Sequence, residues 1–219
     1  MKLAVLASGG GTTFEHLLVS RRQGLFEHSI SVLVTDNPRA GAVGIARRNG
    51  ISVLCVEPRA FKNFSEWDRA LMCALVAEGV DAVVLAGFLR KIGPSVLKAF
   101  PNRIINTHPS LLPKFGGKGM YGLRVHEAVV SGGESETGVT IHLLNEEYDR
   151  GPILKQARLG VLPGETAQDL QERVKKLEKS LLVDFLMSWQ LPSRGCRQAL
   201  SVLGMRLSLL LRRKGGRVV

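Results

Sequence analysis

Short apolar runs alternate with segments of helical periodicity through the first half of the chain. The run at 81–86 shows no polar alternation, which is typical of a central parallel strand covered on both faces. The pattern predicts strands at 3–7, 30–34, 51–54, 81–86 and 103–105, and helices at 12–18, 41–48 and 65–78. Strands that alternate with helices indicate an α/β fold, in which right-handed crossovers join the strands of a parallel sheet.

The pattern changes in the second half of the chain. The segments 138–144 and 153–159 lie close together without a helix between them, which predicts antiparallel strands. A segment from about 166 to 189 predicts a closing amphipathic helix. With no strong linker, the 219 residues are expected to form one domain over 1–190, followed by a basic tail over 191–219.

The net charge of +11 is concentrated in that tail. Residues 191–219 contain seven basic residues and no acidic ones, so the domain itself carries an ordinary charge. Such a charge suits a small phosphorylated substrate, and we predict no specific nucleic-acid partner. We expect the tail to be a poorly ordered appendage, with a short basic amphipathic helix at 199–211 as the alternative.

Cysteine usage and the absence of targeting patterns indicate a reduced compartment. Cys55, Cys73 and Cys196 are odd in number and widely spaced, which argues against a disulfide framework and a zinc site. No secretory signal is evident, and no apolar run approaches the roughly 20 residues of a membrane-spanning helix. We therefore expect a cytoplasmic protein with no membrane span. The histidines lack metal-ligand spacing, so no metal is predicted.

A glycine-rich turn, Ser-Gly-Gly-Gly-Thr-Thr at 8–13, joins the first predicted strand to the first helix. Glycines let the backbone approach an anion closely, and the helix start favours negative charge. The dinucleotide fingerprint is met incompletely because Phe14 replaces a small residue, and the lysine of a P-loop is absent. The turn predicts a phosphate site, with a plain strand-to-helix connection as the alternative.

Residues suited to acyl transfer follow the strand predicted at 103–105. Asn106 ends this apolar run and Pro109 prevents a helix directly after His108, so both side chains are expected at a strand end, where open α/β sheets bind ligands. An imidazole exchanges protons near neutrality, a carboxylate such as Asp149 would raise its pKa, and an amide can donate a hydrogen bond to an oxyanion.

A covalent intermediate is not favoured. Ser110 lacks the Gly-x-Ser-x-Gly context of a nucleophile, so direct attack by a substrate amine on a bound carbonyl is the more plausible reaction. The alternative is that His108 is a structural histidine and Asp149 a turn residue. His142 is expected beside the site. We expect the other histidines to be solvated or packed: His16 on the first helix, His28 in a loop and His126 on a surface helix.

Taken together, the segments 8–13, 85–90, 106–114 and 138–152 resemble the successive motifs of the phosphoribosylglycinamide formyltransferases, the folate-dependent enzymes of purine synthesis. The resemblance implies a Rossmann-like formyltransferase fold with a mostly parallel sheet and antiparallel strands in its C-terminal half. It also implies formyl transfer from 10-formyltetrahydrofolate to the amine of glycinamide ribonucleotide. In that reaction, His108 is the general acid/base, Asn106 stabilises the oxyanion, and Asp149 holds His108 and a proton-relaying water.

The resemblance further implies which residues bind the two small molecules. The phosphate loop corresponds to Gly11, Thr12 and Thr13. Glu178, which would otherwise be interpreted as a solvated charge, corresponds to the carboxylate near the substrate amine. The folate pocket corresponds to Leu89, Arg90, Lys91, Ile92 and Asn106, with 145–149 as its other wall.

Two segments depart from the common pattern of that family. Phe64 stands ahead of Trp67-Asp68-Arg69 where many members have an arginine, which puts one contact to the folate tail in question. The glycine-rich segment 115–122 resembles a sub-branch of the family, and we expect it to be a mobile loop that orders over substrate.

Three other functions stay open at this level. A methionyl-tRNA formyltransferase would share the chemistry but is expected to need a further tRNA-binding domain. A formyltetrahydrofolate hydrolase would share the site, and is expected to carry an additional N-terminal domain. A noncatalytic nucleotide-binding module would explain the glycine turn and leave His108 without a purpose. The protein could be a monomer or a homodimer.

Overall fold

A computed structural model describes residues 1–191. The strands are β1 (Lys2–Leu6), β2 (Ser29–Thr35), β3 (Ser52–Cys55), β4 (Ala82–Leu85), β5 (Ile104–His108), β6 (Glu136–Leu143) and β7 (Ile153–Gly160). The helices are α1 (Thr12–Arg22), α2 (Gly41–Arg48), α3 (Phe64–Ala77), α4 (Pro94–Ala99), α5 (Leu123–Ser131) and α6 (Ala167–Ser188). A short 3₁₀ turn, Pro58–Ala60, precedes α3.

The seven strands form one sheet in the order β3-β2-β1-β4-β5-β6-β7. Strands β1 to β5 are parallel, whereas β6 is antiparallel to β5, and β7 is antiparallel to β6. This confirms the predicted α/β fold with antiparallel strands in its C-terminal half. The chain order reverses between β1 and β4, and open α/β sheets bind ligands at such a switch point.

The sheet is covered by helices on both faces, which explains why its strands lack polar alternation. In β1, Leu3 and Val5 pack in a cluster with residues of α1, α2 and α6, while Ala4 and Leu6 pack in a second cluster with residues of α3 and α4. All four side chains are fully buried. At about 25 cal/mol per Å² of apolar surface, this burial is the main stabilising contribution.

The extent of β5 and the position of His126 differ from the expectations. Strand β5 continues to His108, because β6 pairs with it and places His142 opposite Asn106 and Thr140 opposite His108. The two polar residues therefore lie within the strand rather than beyond its apolar part. The expected surface position of His126 is wrong, since α5 packs against α6 and leaves this side chain 2% exposed.

The expected tail over 191–219 lies, apart from Leu191, outside the described residues. Leu191 itself is partly buried against the cluster shared by α1, α2 and α6. Within residues 1–191, no helix combines the length and the apolar character needed to span a membrane.

Candidate active site

A cavity of about 350 Å³ opens at the carboxyl ends of β1, β4 and β5. Its walls come from the glycine turn after β1, the loop after β4, the end of β5, the loop between β6 and β7, and helix α6. It brings together every residue that the sequence singled out for the site: Gly11, Thr12, Thr13, Leu89, Arg90, Lys91, Ile92, Asn106, His108, Asp149 and Glu178.

His108 and Asp149 meet at one end of the cavity. The Nδ1 atom of His108 lies 3.6 Å from Oδ2 of Asp149, and both side chains are largely buried. Asp149 adopts a left-handed backbone conformation with φ of 54°. Its Oδ2 atom also accepts a hydrogen bond of 2.8 Å from the backbone N–H of Gly117. The carboxylate is therefore held in place from two sides.

His142 connects this pair to Asn106. Its Nε2 atom lies 3.2 Å from Nδ2 of Asn106 and 3.6 Å from Oδ1 of Asp149, while Nδ1 lies 2.9 Å from the carbonyl oxygen of Leu143. In the neutral ring, Nδ1–H donates to that carbonyl, which leaves Nε2 to accept from the Asn106 amide. We call the four connected residues Asn106, His108, His142 and Asp149 the catalytic cluster.

Burial decides the protonation state of His108. Burial lowers the pKa of this imidazole and outweighs the opposite effects of Asp149 and of the Phe115 carbonyl. The carboxylate thus raises the histidine pKa as expected, but the net direction is downward. Burial raises the pKa of Asp149, yet the neighbouring rings of His142 and His108 and the backbone N–H of Gly117 hold that pKa below its ordinary value. Near neutrality the pair is a neutral imidazole beside a carboxylate.

The glycine-rich loop lies directly over His108. The backbone carbonyl of Phe115 lies 2.8 Å from Nε2 of His108 and accepts its N–H. A Cβ atom on Gly116 would come 2.5 Å from Cδ2 of Leu112 and 3.2 Å from Cβ of Asp149, so a side chain at this position would require the Leu112 side chain to move. The predicted mobility of the loop stays a prediction.

The glycine turn presents its backbone to the other end of the cavity. Gly11 has φ of +78°, and a Cβ atom there would lie 2.6 Å from the Cα atom of Ala42. A side chain at this position would therefore clash with α2, and α1 begins directly afterwards at Thr12. The free N–H groups of this turn are suited to an anion. Thr12 is exposed, whereas the hydroxyl of Thr13 points to Glu178, at 3.4 Å from Oε1.

Glu178 is not a solvated charge. This α6 side chain lines the cavity, and its Oε1 atom accepts a hydrogen bond of 2.8 Å from the hydroxyl of Thr107. Burial raises the pKa of Glu178, while the hydroxyls of Thr107 and Thr13 act in the opposite direction. A half-buried carboxylate at this position is suited to the amine of a ligand.

Other side chains contact only part of the wall formed by 89–92. Arg90 donates from Nε to Oδ2 of Asp36 at 2.9 Å, and Lys91 lies 5.5 Å from the ring centroid of Tyr148 on the opposite wall. Leu89 is 60% exposed, whereas Ile92 is buried. The exposed apolar and cationic groups leave a mouth that can accept a flat polar ring.

Residues 1–186 match the family model described as formyl transferase. The chain belongs to the formyl transferase family. A phosphoribosylglycinamide formyltransferase of Arabidopsis thaliana, named as chloroplastic, is 43% identical over 185 residues, which cover 84% of this chain and 63% of that protein. The Bacillus subtilis enzyme of the same name is 33% identical over 177 residues, which cover 81% of this chain and 88% of that protein.

Solved structures agree with this assignment. Glycinamide ribonucleotide transformylase 1 from Symbiobacterium toebii superposes with a TM-score of 0.80 at 36% identity, covering 85% of this chain and 86% of that one. The chain spans about three fifths of the length of the plant relatives, at 63% for Arabidopsis thaliana and 59% for Vigna unguiculata.

Several residues of this formyl transferase site were missed by sequence reasoning. Asp36, which pairs with Arg90, follows β2, and a carboxylate directly after a parallel strand is a signal that could have indicated it. Thr107 lies between two predicted site residues, and strand alternation could have assigned it to the other face. No sequence signal indicated His126 and Lys175 as cavity residues. Within residues 1–191, no group of three or more His, Cys, Asp or Glu side chains is placed to hold a metal ion.

Proposed function

We propose that the protein transfers the formyl group of 10-formyltetrahydrofolate to the primary amine of glycinamide ribonucleotide, a step of purine synthesis. The observation that carries the proposal is the catalytic cluster, which lies between a glycine turn suited to a phosphate and a mouth suited to a folate ring. The names of the relatives, phosphoribosylglycinamide formyltransferases, support the same formyl acceptor.

The cluster is suited to addition of an amine to a formyl carbon. The amine nitrogen attacks this carbon, and the formyl oxygen becomes an oxyanion. Asn106 directs one amide N–H at His142 and has a second N–H to donate to that oxyanion. Neutral His108 takes the proton released by the amine, and Asp149 stabilises the imidazolium. The proton then passes to N10 of the folate as the carbon–nitrogen bond to N10 breaks.

The two substrates would enter from opposite ends of the cavity. The ribonucleotide phosphate binds the N–H groups of the turn at Gly11, Thr12 and Thr13, and its amine end faces Glu178. The folate ring lies between 89–92 and the loop 145–149. The loop over His108 covers both reacting groups and excludes water, which would otherwise accept the formyl group.

The acceptor distinguishes this function from formyltetrahydrofolate hydrolysis. Glu178 favours an amine acceptor, because a carboxylate held by two hydroxyls is suited to N–H groups and is not needed to bind water. A noncatalytic module would have no use for the catalytic cluster. The cytoplasmic location, the choice between monomer and homodimer and the absence of a metal stay predictions.

The decisive experiment mixes the purified protein with 10-formyltetrahydrofolate and glycinamide ribonucleotide. Mass spectrometry should detect formylglycinamide ribonucleotide, and absorbance should detect released tetrahydrofolate in equal amount. Tetrahydrofolate released equally well without the ribonucleotide would identify a hydrolase instead. Binding of both compounds without any product would identify a noncatalytic module.

A further inference from the structure

Strand β5 presents different chemistry on its two faces. Successive side chains of a strand point to opposite faces of a sheet. Asn106 and His108 therefore belong to the face that carries the catalytic cluster, whereas Thr107 points to α6 on the other face and contacts Glu178. The cavity spans the sheet edge, and its lining includes residues from both faces: Asn106, Thr107, His108 and Glu178. A ligand in it meets the catalytic cluster on one side and Glu178 on the other.

The hydrogen bonds to Glu178 are asymmetric. Both threonine hydroxyls donate to Oε1, Thr107 at 2.8 Å and Thr13 at 3.4 Å. Within residues 1–191, no hydrogen bond to Oε2 is found. One carboxylate oxygen is therefore held by the protein, and the other remains for a donor in the cavity.

We propose that Thr107 is a positioning residue, which holds Oε1 of Glu178 so that Oε2 meets the amine of the acceptor substrate. The inference rests on the proposed function and deepens it, since it assigns the acceptor end of the site to a pair of residues on β5 and α6. Thr107 does not touch the reacting atoms and acts only through Glu178.

The physical basis is the short hydrogen bond from Thr107 to Glu178, because the Thr107 side chain has little conformational freedom. Thr107 is branched at Cβ and is 8% exposed, so its hydroxyl has few rotamers to choose from. The hydroxyl of Thr13 lies at the long limit of a hydrogen bond and contributes less. Burial raises the pKa of Glu178, and the Thr107 hydroxyl opposes this effect, which favours the charged form that an amine requires.

The test compares Thr107→Val, which removes the hydroxyl at nearly constant shape, with Thr107→Ser, which keeps it. A hydrogen bond to a charged group contributes about 1.5 kcal/mol, so the KM for glycinamide ribonucleotide should rise about tenfold in Thr107→Val with little change in kcat. Thr107→Ser should restore most of the wild-type KM. Carboxyl NMR should also show a higher pKa for Glu178 in Thr107→Val.

A matched control is available on β6. The hydroxyl of Thr137 is buried and has no hydrogen-bond partner among residues 1–191, so Thr137→Val should leave the KM, kcat and the Glu178 pKa at their wild-type values. A double-mutant cycle with Glu178→Gln separates positioning from a general structural effect. The KM effect of Thr107→Val should largely disappear in the Glu178→Gln background, because Thr107 acts through that carboxylate.

The outcomes separate the two proposals. A wild-type protein that makes no formylated ribonucleotide would overturn the proposed function. A productive wild type together with an unchanged KM in Thr107→Val, or an equal KM effect in the Glu178→Gln background, would overturn the role of Thr107 alone. Thermal unfolding verifies the fold of each variant. If Thr107→Val does not fold, Thr107→Ala takes its place, and an unchanged KM in that variant would equally overturn the role of Thr107.

Discussion

Two of the three buried histidines that line the cavity, His108 and His126, have opposite electrostatic surroundings. His108 on β5 is 4% exposed and His126 on α5 is 2% exposed. Burial is the largest influence on both and lowers both pKa values. His108 faces the carboxylate of Asp149, which works against burial. For His126, burial acts together with the charges of Lys175 and His108, and these effects lower its pKa to about 4.

The two rings also differ in their hydrogen bonds, and this difference again favours a proton on His108 over one on His126. One nitrogen of His108 donates to the Phe115 carbonyl and the other lies beside Asp149, whereas Nδ1 of His126 is buried without a partner in the part of the chain that the structure describes. A proton added to His108 is therefore stabilised, and one added to His126 is not. The comparison shows that position in the cavity does not by itself suit a histidine to proton transfer. A neighbouring group that stabilises the protonated ring is also needed.

The strongest test of this difference is His108→Ala. Loss of a general acid/base typically lowers turnover by about 10²- to 10⁴-fold. Formyl transfer should fall by this order, while calorimetry should find the affinity for glycinamide ribonucleotide nearly unchanged. His16→Ala on α1, a residue that does not line the cavity, serves as the control. Turnover at the wild-type level in His108→Ala would remove His108 from the proposed role.

For His126, the expected effect is on the free energy of unfolding at acidic pH. Its pKa is about 4 in the folded protein, against an ordinary value of 6.5 for a free histidine, so the unfolded state binds a proton first as the pH falls. His126→Leu should therefore lose less stability than the wild type between about pH 7 and pH 5, by about 2 kcal/mol. Urea unfolding at both pH values measures the difference. Parallel losses in both proteins would contradict the lowered pKa.

Asp149→Asn should shift the pH dependence of turnover. The negative charge of Asp149 raises the pKa of His108, so its removal lowers this pKa further below 6.5. The neutral form of His108 then persists to lower pH, and the acid limb of the rate profile moves to lower pH. NMR titration of the His108 ring gives an independent measurement. An acid limb at the wild-type pH would show that the two groups are not coupled.

The smallest effect is expected for Lys175→Met. Lys175 is the second influence on His126 after burial, and it lowers the pKa of that ring. Its removal should raise the pKa of His126 only part of the way toward 6.5, as measured by NMR titration. The pKa of His108 should stay the same, because Lys175 is not among the groups that influence it. A larger change at His108 than at His126 would contradict the contrast between the two sites.

Local patterns in the sequence determined most of the architecture. The helix predicted at 41–48 coincides with α2, Gly41–Arg48, because the spacing of its apolar residues is a local property. The strand predicted at 103–105 was too short, because β5 is extended by its pairing with β6, and pairing across the sheet is not a local property. The predicted roles of the catalytic cluster and of the tail stay predictions.

The chemistry of single residues was decided by the tertiary structure. The sequence by itself determined the α/β fold, the glycine turn and the residue types that converge on one sheet edge. It did not determine the net direction of the His108 pKa, because burial is produced by all the elements that pack around the ring. Nor did it indicate that Thr107 holds Glu178, since strand alternation and the position of α6 bring together two residues 71 positions apart in the chain.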